Sequence, residues 1–256
     1  RVTGFEALVR WLRRGQIVFP GDFLDVLESM DLIIPMERWV LLESCIQMAK
    51  WRKQNKDPLT MSVNVSARHY SSPHLVNQLK EILQRSQLDP TSLILEITES
   101  ALMEKTGAVE ETLSQIRDLK VQIHMDDFGT GYSSLSYLHR FPINSLKIDR
   151  SFIGNLGRND ETLKIVQAIA GLAHSLGKGV IAEGIENLMQ MRMVQWLKCE
   201  HGQGYYFSKP MDPRAIESLI SGEYPWSAAF GKDVSPGFPS AIPDKESVRL
   251  LENLPQ

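Results

Sequence analysis

Short runs rich in β-branched and aromatic residues alternate with longer segments of helical spacing along most of the chain, and this alternation restricts the fold more than any other feature. Strands are predicted over 2–10 (VTGFEALVR), 60–65 (TMSVNV), 93–98 (LILEIT), 121–126 (VQIHMD), 145–149 (SLKID), 179–183 (GVIAE) and 204–208 (GYYFS). Between them, 36–51 carries a stripe of Trp39, Leu42, Ile46 and Ala49, with Pro35 suited to the first helical position. A second stripe, Ile165, Ile169, Leu172 and Leu176, marks a helix over 161–176, with Asn159 and Asp160 as caps and Gly177 as its stop. Such alternation predicts an α/β protein whose parallel strands are joined by crossover helices. A doubly wound sheet and a closed barrel both satisfy it. Seven strands are visible, so an eight-stranded barrel needs one more, upstream of residue 1.

Composition narrows the classes. The 256 residues suit one large domain or two small ones, and 43% hydrophobic residues can bury a sizeable core. A net charge of −3 argues against a general DNA- or RNA-binding surface but is compatible with a phosphate-bearing small molecule. Cys45 and Cys199 form no C-x-x-C pair and read as reduced thiols of a cytoplasmic protein. No run approaches the ~18 apolar residues of a membrane span and no signal peptide is visible, so no membrane contact is expected of this domain. Another domain of a parent chain could still supply an anchor. The abrupt opening on RVTGFEALVRW reads as part of a longer protein. Five of the 13 prolines lie beyond Glu223, which predicts a domain over 1–222 and a tail or linker over 223–256. A short helix over 244–254 would carry Val248, Leu251 and Leu254. No internal repeat is visible.

Side chains alternate across a strand, so residues of equal parity share a face. Glu6, Leu8 and Arg10 face one way in the first run, and Ser62, Asn64 and Ser66 do so in the second. Glu96 sits among apolar neighbours, Lys147 shares a face with Asp149, and Glu183 ends the GVIAE run. Six successive strands thus deliver an acid, an amide or a lysine at or near their C-terminal ends, where parallel sheets and barrels build active sites. Asp126 and Asp127 are adjacent, and two carboxylates about 4 Å apart repel by roughly 4 kcal/mol at an effective dielectric near 20. Glu6, Glu96, Asp126, Asp127, Asp149 and Glu183 cannot all stay ionised with only Lys147 and Arg10 opposing them. Either several pKa values rise or cations occupy the mouth. The candidate ligands are all oxygen donors, which favours Mg²⁺ or Mn²⁺ over zinc. The six histidines are scattered without ligand spacing; His124 is nearest the acids and shares their parity.

Seven motifs follow in order: Glu6-Ala7-Leu8 continued by Val9-Arg10-Trp11, NVSA (64–67), EITES (96–100), DDFGTGYSSL (126–135), KIDRSFI (147–153), AEGIE (182–186) and GQGYYFSKP (202–210). Together they resemble the EAL-domain family of cyclic di-GMP phosphodiesterases over residues 1 to about 222. The resemblance implies a TIM-like (β/α)8 barrel whose first strand runs antiparallel. The Tyr-Gln-Pro-Ile-like motif of that strand is missing here, and with it a glutamine contact to a guanine, so a barrel short of one stave is expected. It also implies metal-dependent hydrolysis of cyclic di-GMP to linear pGpG in bacterial second-messenger signalling, with two Mg²⁺ or Mn²⁺ ions.

By the same resemblance, Glu6, Asn64, Glu96 and Asp126 would ligate one ion. Asp126, Asp127 and Glu183 would ligate a second, with Asp149 close by. Lys147 would hold the attacking water and Glu183 would act as general base. Gln203 would position water or substrate, Arg10 would meet a phosphate, and Leu8 and Glu186 would contact guanine. Glu99 would hold the loop 128–135, in which Gly129 and Gly131 permit the mobility of a gate and Thr130 offers a hydroxyl. A homodimer through the helices after the fifth and sixth strands, and regulatory domains upstream, are further implications. Two other readings compete: an inactive module that serves as a cyclic di-GMP receptor or protein-interaction domain, and an unrelated metal-dependent barrel hydrolase. Degenerate members usually lose metal ligands; all of them are present here, which favours activity.

Overall fold

The computed structural model describes residues 1–55, 58–104, 106–131, 138–158 and 160–221; the expected tail over 223–256 and its helix lie outside these. The chain enters through β1 (Gly4–Ala7) and a hairpin of β2 (Trp11–Arg13) and β3 (Gln16–Val18), then runs through α1 (Leu24–Ser29) and α2 (Ile33–Gln54). There follow β4 (Thr60–Asn64), α3 (Ala67–Tyr70), α4 (Leu75–Ser86), β5 (Leu93–Thr98), α5 (Glu99–Glu104), α6 (Thr106–Asp118) and β6 (Gln122–Phe128). The last part holds β7 (Ser145–Ile148), α7 (Arg150–Ile153), α8 (Asp160–Ser175), β8 (Gly179–Ala182), α9 (Leu188–Trp196), β9 (His201–Gly202) and α10 (Pro213–Ser221).

Among the described residues seven strands form one sheet in the order β1-β4-β5-β6-β7-β8-β9, and every neighbouring pair is parallel. The spatial order is the sequence order, as in a barrel, and a doubly wound sheet would have reversed it. The two edges face each other without a ladder between them. Side chains bridge this seam instead, from Thr3 Oγ1 to His201 Nδ1 at 3.3 Å and from Gln203 Nε2 to Glu6 Oε2 at 2.6 Å. The result is a (β/α) barrel short of one strand, as the missing motif implied.

The central strands read as continuous apolar runs because both of their faces are covered. Leu93, Ile94, Leu95 and Ile97 of β5 are all buried, as are Ile123 and Met125 of β6. On β4 the alternation is clean: Met61 and Val63 are buried while Asn64 is exposed. Phe5 packs on Trp51 of α2 with ring centroids 5.1 Å apart, which turns Glu6 toward the barrel interior.

Four expectations need correction. The first strand ends at Ala7, not Arg10, because the chain turns into the β2–β3 hairpin, whose Arg14–Gly15 corner has φ of +50° and +80°. Both central residues at positive φ give the turn whose twist suits a two-residue hairpin. The last strand is His201–Gly202, and the aromatic run at 204–208 is turn. In α2 the buried stripe is Glu37, Leu41, Cys45 and Met48, with Trp39 57% exposed, and Pro35 is its third residue. The α8 stripe is Leu163, Val166, Ile169, Ala170 and Ala173, so Ile169 alone of the expected four is fully buried. Gly177 does end that helix: at φ +67° it donates to His174, while Lys178 donates to Ala173.

Burial raises the thiol pKa of Cys45 to about 12, and that of Cys199 to about 12 with help from Glu200. Neither should react with Ellman's reagent at pH 8 while the protein is folded, since the thiolate is the nucleophile. Both should react once guanidinium unfolds the chain; rapid native labelling of Cys45 would contradict its place in the core.

Candidate active site

The ammonium of Lys147, on β7, is the centre on which the mouth of the barrel converges. It lies 2.8 Å from Glu96 Oε2 of β5, 2.7 Å from Glu183 Oε1 just past β8, 3.3 Å from Asp126 Oδ1 of β6 and 3.8 Å from Glu6 Oε2 of β1. Lys147 and Glu96 are each 1% exposed. Asn64, ending β4, donates to Glu6 Oε1 at 2.7 Å, and Gln203, just past β9, donates to its other oxygen. All seven strands of the barrel contribute a residue, and each comes from a C-terminal end.

Register explains the convergence. Asn64 lies beside Glu96 in the β4–β5 ladder, and Glu96 beside His124 in the next, so these residues occupy one layer. The adjacent aspartates are explained by a bulge. Met125 pairs with Leu146 and Phe128 with Ile148, so Asp126 and Asp127 together oppose Lys147 alone. Strict alternation would send two neighbours to opposite faces; the extra residue relaxes that. Asp127 adopts φ +54°, a conformation Asp tolerates, and its N–H donates to Asp126 Oδ1 at 2.9 Å. Backbone thereby offsets part of the repulsion between the two carboxylates.

One ammonium cannot neutralise four carboxylates. Burial, and then Glu6 and Asp126, raise Glu96 well above the ordinary carboxyl range even against the pull of Lys147. Glu183 is likewise raised, by burial first and by Asp126 and Glu6. Asp127 is raised by burial and by the charges of Asp126 and Asp149. Burial opposes the charge on Lys147, yet the surrounding carboxylates hold it protonated far above its usual range. His124, buried in the same layer and without a hydrogen-bond partner for Nδ1 among the described residues, is pushed down to about 3 by burial, Lys147 and His201, so it is neutral.

Other candidates stand outside the cluster. Asp149 caps α7 by accepting from Ser151 N–H at 2.9 Å. Leu8 is exposed, and Arg10 donates to its neighbour Val9 and lies over the Phe19 ring at 5.2 Å. Because β1 ends at Ala7, strand parity does not carry these two to the Glu6 face. Glu186 is exposed beyond the AEGIE turn. Glu99, buried at the start of α5, accepts from Gly129 N–H at 2.9 Å; Thr130 Oγ1 donates to Asp127 O at 2.8 Å. Gly129 has φ +97° and a Cβ there would meet the Phe152 ring at 2.9 Å, while one on Gly131 would meet Glu99 at 3.0 Å. Tyr132 to Ser134 and Leu135 lie outside the described residues.

The donor set suits a hard divalent cation, since Asp, Glu and Asn oxygens ring the mouth and their carboxyls are crowded enough to hold protons in its stead. Among the described residues no three His, Cys, Asp or Glu side chains are drawn round a common point as ligands; Lys147 gathers them.

Fold and mouth together define a parallel α/β barrel with an oxygen-donor site at its C-terminal end. The chain belongs to the EAL domain family, whose model matches residues 1–210. It is 40% identical over 221 residues to the signaling protein YkoW of Bacillus subtilis, covering 86% of this chain and 28% of that protein. It is 38% identical over 218 residues to the cyclic di-GMP phosphodiesterase PdeR of Escherichia coli, covering 84% of this chain and 33% of the relative. The solved structure of the PaMucR phosphodiesterase in complex with c-di-GMP superposes with a TM-score of 0.80 at 39% identity, covering 83% of this chain and 87% of that one. The chain spans about a third or less of the length of these two curated relatives.

Linkage gives a test. Above about pH 7.5 His124 is almost wholly neutral in folded and unfolded states alike, and Lys147 stays charged in both up to about pH 9.5. In that window Glu96 and Glu183 still hold protons that the unfolded chain has released, so the folded state binds more protons and loses stability as pH rises. In EDTA, Tm should therefore fall from about pH 7.5 upward, and Glu96→Gln should flatten the slope. A flat wild-type profile would mean that the crowding is relieved some other way.

Proposed function

We propose that this chain is a metal-dependent phosphodiesterase that hydrolyses cyclic di-GMP to linear pGpG. The convergence of Glu6, Glu96, Asp126 and Glu183 from separate strands on one buried ammonium carries the reading. The names of the relatives and the c-di-GMP complex support the substrate. Glu6, Asn64, Glu96 and Asp126 would hold one Mg²⁺ or Mn²⁺, and Asp126, Asp127 and Glu183, with Asp149 near, a second. Bound divalent ions supply charge neutralisation for the phosphate and acidify water.

The protein groups do the rest. Lys147, anchored by Glu96 and Glu183, would present its ammonium to the attacking water, and Gln203 fixes Glu6 from across the seam. Water oxygen bonds to phosphorus in line while the P–O3′ bond breaks. Its proton passes to Glu183, whose raised pKa suits a base near neutrality, and then to the departing 3′ oxygen. Arg10 would leave Val9 to meet a phosphate, and Leu8 and Glu186 would flank a guanine. Glu99, through Gly129, sets the posture of the segment continuous with the two aspartates. We place the chain in the cytoplasm, as a homodimer within a larger regulated protein; no helix among the described residues is long and apolar enough to cross a membrane.

Incubation with cyclic di-GMP and Mg²⁺ or Mn²⁺ should yield pGpG, and chelation should stop it. Asn64→Ala or Asp126→Ala should cut kcat roughly a hundredfold with the fold intact. Arg10→Ala should weaken substrate binding by about 1.5–3 kcal/mol. Tight binding without turnover in the wild type would make the chain a receptor instead. Separately, Glu99→Ala should speed hydrogen exchange across 126–131 and lower turnover together; lost turnover with unchanged exchange would place Glu99 in the chemistry itself.

A further inference from the structure

Behind Asn64 lies a second buried polar group that the proposed chemistry does not use. Glu37, in the first turns of α2, is 6% exposed and sits in the otherwise apolar stripe with Leu41, Cys45 and Met48. Its Oε1 accepts from Ser66 N–H at 2.9 Å, and its Oε2 lies 2.8 Å from His69 Nδ1. His69 is completely buried, and its Nε2 lies 2.8 Å from Gln78 Oε1 of α4. Side chains of three helices thus meet at the four-residue α3, which begins three residues after Asn64.

A buried carboxylate facing an imidazole is expensive to maintain unless its hydrogen bonds are complete, and here both oxygens are engaged. What it grips is the backbone. Val65 N–H donates to the carbonyl of Glu96 at 3.1 Å, and the next amide, Ser66, is the one Glu37 holds. Ser66 then caps α3 by accepting from His69 N–H, which closes the path back to the imidazole. The peptide on the C-terminal side of Asn64 is therefore fixed at two successive amides, one to a neighbouring site strand and one to α2. Tyr70, completely buried on the same helix, has its pKa raised by burial first and then by the charges of Glu37 and Glu96.

We propose that Glu37 and His69 are positioning residues for Asn64: they pin the turn after β4 and so set how the Asn64 amide faces Glu6 and a bound cation. Groups that orient a first ligand typically change metal affinity tenfold or more when removed. The pair acts on position alone and touches neither substrate nor reacting atoms. The inference rests on Asn64 as a mouth residue, as proposed above, but its core statement concerns the Asn64 side chain and holds with or without turnover.

Two readouts separate these. In ¹⁵N-labelled metal-free protein, the Asn64 side-chain NH₂ signal, identified by its loss in Asn64→Ala, should shift and exchange faster in Glu37→Ala. The near-isosteric Glu37→Gln, which keeps an acceptor for Ser66 N–H, should restore it. Direct Mn²⁺ titration should show affinity lowered roughly tenfold by Glu37→Ala, and no further loss when Glu37→Ala is added to Asn64→Ala. If Glu37→Ala does not fold, His69→Gln, which retains a donor for Glu37 at lower precision, takes its place with a smaller shift in the same signal. An unchanged Asn64 signal, or equal affinity losses with and without Asn64, overturns the proposal. Failure of the wild type to bind Mn²⁺ would overturn the metal reading, and the amide signal would still decide this one.

Discussion

The buried ammonium of Lys147 is the interaction on which the mouth of this barrel depends. Glu96 is enclosed among Leu93, Ile94, Leu95 and Ile97 of its strand, all buried, and a lone carboxylate there would cost on the order of several kcal/mol to desolvate. Lys147 makes it tolerable at 2.8 Å and ties Glu183 and Asp126 to the same point. Yet burial first, and then the surplus of neighbouring carboxylates, pushes its carboxyls upward. A mouth with more carboxyls than its own lysine can balance suits an incoming cation. Replacing a buried ion cluster by well-packed apolar residues is often neutral or stabilising, so its presence here points to function over stability.

The barrel supplies the geometry for this at little conformational cost. Parallel register brings Asn64, Glu96 and the β6 residues into line, and the bulge adds a second aspartate opposite Lys147. Since the ladder is rigid, the freedom lies in the short segments just past the strands. Glu99 engages one such segment at Gly129, and Glu37 engages another at Ser66. Gln203 crosses the open seam to Glu6, so the edges are coupled through the site itself. The missing stave and the mouth are thus neighbours in the structure.

Much of this was legible beforehand, and the failures have physical causes. Strand positions 93–98 and 60–64 emerged from composition because buried parallel strands are nearly pure in β-formers. Parity correctly paired Asn64 with Ser62, but it could not foresee that Asp127 joins Asp126, since a bulge is a break in the very period being read. Leu8 and Arg10 were carried along a strand that had already ended at Ala7. The aromatic run at 204–208 looked like a strand, yet aromatic residues also pack in turns. In α2 the large Trp39 drew the stripe to the wrong face. Glu37 was in line with Leu41, Cys45 and Met48 all along, at helical spacing, and a charged residue in an apolar stripe was the available signal for its buried partner.

Anomalous diffraction from crystals grown with Mn²⁺ tests the central claim most directly, because it locates the cation independently of any assay. The account predicts density within the mouth, ligated by oxygens of Glu6, Asn64, Glu96 and Asp126, with the Lys147 ammonium still among the carboxylates. Density only elsewhere on the surface, with the carboxylates gathered on Lys147 as they are now, would show that the lysine alone completes the site and would contradict the account.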